Sequence, residues 1–138
     1  SDGGLCSPAS GEPIRVQNAI IATNFLGALE QDVAGTFVSE GHNLLGVADD
    51  GRSQGFGSAG DLLGTADDPL DPKLGPLAFN GGPTRTHALL AGSPAVDAGG
   101  RPVDPTGLAV IVDQRGRPRT RDGNGDGRAA TDIGAVER

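Results

Sequence analysis

From Ile14 onward the chain alternates short aliphatic clusters with stretches rich in glycine, proline and acidic turn residues. The clusters are Ile20-Ile21, Leu44-Leu45, Leu62-Leu63, Leu89-Leu90, Val110-Ile111-Val112 and Ile133-Gly134-Ala135-Val136, starting 24, 18, 27, 21 and 23 residues apart. None has the length, or the i, i+3, i+4 spacing, of an amphipathic helix. Between them lie turn sequences such as Asn80-Gly81-Gly82-Pro83 and Asp97-Ala98-Gly99-Gly100, whose residue types suit tight turns. Short strands recurring about every 20 to 25 residues predict an all-β repeat in which one coil of chain stacks on the next. A β-sandwich would instead call for turns about every 8 to 12 residues and more aromatic bulk. The first residues, Ser1 to Pro13, are small and polar and read as an extended N-terminal arm. That leaves residues 14–138 as the repeat domain.

Composition narrows this picture. At 138 residues the chain has room for one domain. Its 24 Gly and 10 Pro make up about a quarter of the chain. That density argues against a helical bundle, since each such residue costs a helix about 1 to 3 kcal/mol. It raises disorder as a competitor, against which the recurring aliphatic clusters stand. Four Phe and no Trp, Tyr or Met require a core of small aliphatic side chains. No apolar run is long enough for a membrane helix. A net charge of −7 disfavours nucleic acid and anionic membranes as partners. Cys6 is the only cysteine, so it is either an inert thiol or a link to another chain. The start at Ser1, with no Met and no apolar leader, fits a chain whose targeting peptide was removed, or a fragment.

Candidate chemistry concentrates in Asp122-Gly123-Asn124-Gly125-Asp126-Gly127-Arg128. Oxygen side chains at alternate positions with Gly between them let a tight loop wrap a hard cation, and Ca²⁺ is the expected cofactor. Asp122, Asn124 and Asp126 would supply side-chain oxygens and Arg128 its carbonyl. Asp132 stands one place before the position where an EF-hand loop has its acid, which Ile133 occupies. The competing reading is a solvated turn between strands. A second acidic group, Asp61, Asp67, Asp68 and Asp71, could do acid/base or metal chemistry, but its Asp-Pro steps also serve as turn punctuation. Arg115-Gly116-Arg117-Pro118 has the letters of a minor-groove DNA hook, yet it lies between Asp113 and Asp122, so Arg–carboxylate pairing along a loop is expected instead. Gly55-Phe56-Gly57-Ser58-Ala59-Gly60 spells a dinucleotide fingerprint without its strand and helix, and reads as a corner. His42 and His87 are either a pair brought together by stacking or two ordinary packing residues. No catalytic nucleophile emerges.

Several segments, in order, carry a family resemblance. They are Asn18-Ala19-Ile20-Ile21-Ala22-Thr23-Asn24, Gly41-His42-Asn43-Leu44-Leu45-Gly46, residues 74–90, Gly92-Ser93-Pro94-Ala95-Val96-Asp97-Ala98-Gly99, Asp113-Gln114-Arg115-Gly116 and Asp132-Ile133-Gly134-Ala135-Val136-Glu137. The chain is similar to the terminal region of bacterial choice-of-anchor Q surface proteins, from about Ile14 to Glu137. The resemblance implies a right-handed parallel β-helix, a short solenoid of the pectin-lyase-like kind, in an exported, cell-surface protein. Val33 and Thr131 stand where members often carry Cys, and the long upstream coils of relatives are replaced by the short arm. The expected role is non-enzymatic and structural. Copies would associate end to end, with Leu5 and Cys6 in the arm contacting a neighbour by strand addition. The alternative is a glycan-binding or lyase-like module, against which the lack of Trp and Tyr counts.

Overall fold

The computed structural model describes residues 4–7, 11–26, 29–30, 32–48 and 53–138. Among these the structure is all-β, without a helix. Contacts divide the chain into two compact units, Ser1–Asp71 and Pro72–Arg138.

The strands are β1 (Leu5–Cys6), β2 (Ile14–Val16), β3 (Ile20–Ile21), β4 (Phe25–Leu26), β5 (Leu29–Glu30), β6 (Val33–Ser39), β7 (Leu44–Leu45), β8 (Ser53–Gln54) and β9 (Leu62–Leu63). All of them lie in the first unit. In one parallel sheet, β6 receives β1 with Leu5 opposite Val33, β2 with Ile14 opposite Phe37, and β8 with Ser53 opposite Gly35. In the other, β7 lies between β3 and β9, with Leu44 opposite both Ile20 and Leu62. The aliphatic intervals of 24 and 18 residues are therefore strand registers. β4 and β5 form a small antiparallel pair.

Each strand of the second sheet follows the same corner. Two residues before Ile20, Leu44 and Leu62 stand Asn18 (φ 52°), His42 (φ 56°) and Gly60 (φ 82°), all left-handed. Asn and Gly suit this conformation, and it turns the chain into the strand at the same point on each pass. At the third position a Cβ would lie 2.5 Å from His42 Nδ1, so stacking itself demands Gly60.

Val16, Val33, Phe37 and Leu45 form the core of this unit, with Leu5, Ile14, Ile21 and Phe56 packed against it. The Phe37 and Phe56 rings lie 5.2 Å apart between centroids, at a 36° tilt. Leu44 and Leu45 are both fully buried. Successive strand residues face opposite ways, so both faces of β7 are shielded from solvent.

The second unit departs from expectation. The clusters at 89–90, 110–112 and 133–136 do not join parallel ladders. Instead the unit has isolated antiparallel bridges: Leu74–Leu89, Ala78–Thr86, Gly99–Thr131, Val103–Ala109, Val112–Pro118 and Arg121–Ala130. The physical reason lies in its turns. Seven of the ten prolines stand in residues 72–138, and a proline has no N–H to give a ladder. Carboxylates also close tight turns: Asp104 Oδ1 accepts the N–H of Thr106 at 2.8 Å and of Leu108 at 3.0 Å. Five of the six bridges thus close over 6 to 15 residues, short of a pass of 20 or so, while Gly99–Thr131 spans 32.

Candidate functional site

The loop 122–128 is wound by its own side-chain oxygens. Asp122 Oδ1 accepts the N–H of Gly125 (2.6 Å) and Asp126 (3.2 Å), and its Oδ2 accepts that of Gly127 (2.9 Å). Asn124 Oδ1 accepts the Asp126 N–H, and Asp126 Oδ1 that of Arg128, each at 2.8 Å. Gly125 and Gly127 take φ of 84° and 87°, which lets the backbone curl around Asp122. Asp97 grips the loop from outside, accepting from the amides of Gly123 (3.2 Å) and Asn124 (2.9 Å).

Asp122, Asn124, Asp126 and Arg128 are thus brought onto one exposed turn. Asp132 lies beneath it and acts at one remove. Its Oδ1 accepts the N–H of Asp97 at 2.7 Å, its Oδ2 that of Arg138 at 2.6 Å, and it is buried. Burial pushes its carboxyl above the ordinary value, and the charge of Asp97 adds to the effect. Among the described residues, no group of three or more His, Cys, Asp or Glu is gathered so as to hold a metal ion. The oxygens expected to meet Ca²⁺ here meet amide hydrogens.

Below the loop is a buried ionic network, of which the sequence predicts only Arg–carboxylate pairing. Asp113 Oδ1 accepts the amides of Arg115 and Arg117, and Oδ2 pairs with the Arg115 guanidinium at 2.7 Å. These partners hold the Asp113 carboxyl below its ordinary value although burial opposes them. Arg119 Nη1 meets Glu137 Oε1 at 2.8 Å, and Nη2 donates to Gly134 O at 2.7 Å. Glu137 Oε2 accepts the Asp132 N–H at 2.9 Å. Arg115 Nη2 also donates to Glu137 O. Burial pushes the Glu137 carboxyl up to about 7, with the neighbouring Asp132 charge contributing, although the Asp132 amide and Arg119 pull it down. The Arg119 Nε is buried without a hydrogen-bond partner. The sequence signal for this network is the Arg run between Asp113 and Asp122; Glu137 stands only at the end of the resemblance segment 132–137, with no role assigned to it.

The remaining candidates serve their own units. Asp61 Oδ2 accepts from Ser39 Oγ (2.6 Å) and the amides of Gly57 (2.9 Å) and Ser58 (3.0 Å), while Oδ1 accepts from Asn43 N (2.9 Å). Burial raises its carboxyl, but these bonds together hold it below the ordinary value. The amides of the dinucleotide-like segment therefore cradle a carboxylate of the same chain. Asp68 closes a turn with Thr65. His42 stands at a corner, and His87 Nδ1 lies 2.7 Å from Gly75 O. They belong to different units. Leu5 and Cys6 lie in β1 on the chain's own β6, with Cys6 exposed.

No family model, curated protein or solved structure matches this chain.

Proposed function

We propose that the chain is a short right-handed parallel β-helix acting as a non-enzymatic structural element, secreted and held at a bacterial cell surface, of the choice-of-anchor Q kind. The observation that carries this reading is the stacked register Ile20–Leu44–Leu62, with a left-handed corner on each pass. Such stacking leaves end strands that recruit others. Among the described residues β8 and β9 each pair on one side, and an uncovered edge is a template for another chain. Copies of the chain are the partners it fits, joined end to end into fibres or surface assemblies. The arm strand, Leu5–Cys6, already sits in parallel register on its own β6, and a neighbour's arm would take the same seat by strand exchange.

Sedimentation and negative-stain microscopy test the reading. Concentration-dependent linear oligomers are expected. Leu63→Lys, which puts a charge on the half-exposed end strand, is expected to disperse them while leaving circular dichroism unchanged. A monomer at every concentration overturns the proposal. For the glycan alternative, a glycan array and an assay for unsaturated product decide.

The loop 122–128 remains the candidate Ca²⁺ site, because its Asp122, Asn124 and Asp126 oxygens share one turn. Added Ca²⁺ is expected to raise Tm, and Asp126→Ala to abolish the gain. Equal Tm for the two proteins with and without Ca²⁺ assigns the loop a turn-forming role only.

A further inference from the structure

The chain carries two Asn-Gly steps, Asn80-Gly81 and Asn124-Gly125. In such a step the next backbone nitrogen can attack the Asn side-chain carbonyl, because Gly has no Cβ to obstruct ring closure. The structure holds the two steps differently. Asn80 is half-buried, and its Nδ2 donates to Thr86 O at 2.8 Å and Thr86 Oγ1 at 3.1 Å, beside the Ala78–Thr86 bridge. Its amide would have to leave both partners before it could react.

Asn124 is exposed, and the bond from the Asp126 N–H to its Oδ1 folds the side chain back over the following peptide. That bond also polarises the carbonyl that must accept electrons. On the nucleophile's side, Gly125 N donates to Asp122 Oδ1 at 2.6 Å, so the hydrogen that must be lost already rests on a carboxylate.

The geometry points to Asn124 as a site of spontaneous deamidation, with Asp122 as the positioning group that receives the Gly125 proton. The Gly125 N–Asn124 Cγ bond forms as that proton passes to Asp122. The Cγ–Nδ2 bond then breaks, the proton returns to Nδ2, and ammonia leaves a five-membered succinimide. Water, the only co-reactant, adds to either imide carbonyl and opens the ring to aspartate or isoaspartate. The aspartate product carries carboxylates at 122, 124 and 126. The isoaspartate product adds a methylene to the backbone of the loop. This chemistry is independent of the scaffold reading above.

Trypsin separates the two steps, since Lys73 and Arg85 bound one and Arg121 and Arg128 the other. The intact chain is incubated at mildly alkaline pH and its peptides are weighed, each conversion adding about 1 Da. Native Asn124 is expected to convert about fivefold faster than Asn80 or more, the factor that one net hydrogen bond is worth. In strong urea the two rates are expected to converge. Equal native rates, or a faster Asn80, overturn the assignment. Asp122→Ala is expected to slow Asn124 alone. If the folded variant reacts at the original rate, Asp122 has no part in the step. If it does not fold, the native-against-urea comparison decides the site.

Discussion

Asn43 shows how a single side chain can set the geometry of the first unit. It is fully buried. Its Oδ1 accepts the Ala19 N–H at 3.0 Å, and its Nδ2 donates to Val16 O (3.1 Å), Ser39 Oγ (3.0 Å) and Asp61 Oδ1 (3.1 Å). These partners come from passes before and after its own, so one amide pins three levels of chain. Asn43→Ala would leave the Ala19 N–H without an acceptor, at about 1 to 3 kcal/mol, and would leave Val16 O with the Glu40 N–H as its remaining donor. The expected loss is roughly 2 to 4 kcal/mol in urea unfolding. Asn43→Asp would keep the acceptor but place a second carboxylate against Asp61, and is expected to be no better. In the sequence Asn43 stands out only within the resemblance segment Gly41-His42-Asn43-Leu44-Leu45-Gly46. Its role is hidden because three of its four partners, Ala19, Val16 and Asp61, lie 18 to 27 residues away, and only the register brings them close.

At the scale of elements, periodicity was informative where the strands stack and misleading where they do not. Ile20-Ile21, Leu44-Leu45 and Leu62-Leu63 became neighbours at the predicted intervals. Leu89-Leu90 and Val110-Ile111-Val112 look the same in sequence, but the antiparallel bridges around them close over 6 to 15 residues. Spacing of apolar clusters cannot distinguish a chain that returns after a full pass from one that doubles back at once. The corner residues do distinguish them, and Gly60 is the sharpest. Gly60→Ala meets two penalties: a left-handed φ of 82° and a Cβ 2.5 Å from the His42 ring. The backbone term alone costs about 1 to 2 kcal/mol. His42→Gly in the same protein is expected to return part of the loss by opening the space, which a double-mutant cycle on thermal melts would register. Additive losses would mean the two corners do not stack as described.

Across the molecule, the two units are held by different physics. The first has an apolar core around Phe37 and Leu45. The second buries Leu89, Ala95, Ile133 and Val136 beside Asp113, Asp132 and Glu137, so much of its interior is a charged network. An aromatic-poor composition foreshadowed a thin core, but not that carboxylates would fill it. The consequence is a pH dependence of definite sign. Glu137 has its pKa raised from 4.5 to about 7, so between those values the native state holds a proton that the unfolded chain has released. Stability from this group is complete below pH 4.5 and is lost as pH rises through 7, a change on the order of 3 kcal/mol. Asp132, also raised, acts in the same direction. Asp113 and Asp61 are lowered from 3.8, and their contribution is lost only as pH falls below that value. The stability maximum should therefore lie on the acid side of neutrality. Hydrogen exchange, corrected for the intrinsic pH effect, provides the measurement. Between about pH 5 and pH 8, amides of the second unit such as Gly99 and Ile133, which donate to Thr131 O and Ala95 O, should lose protection. Those of Leu44 and Gly46, which donate to Ala19 O and Ile21 O in the first unit, should change little. Glu137→Gln should remove most of the difference, because the glutamine stays neutral at both pH values. An equal loss of protection in both units, unaffected by that substitution, would show that Glu137 does not govern the transition.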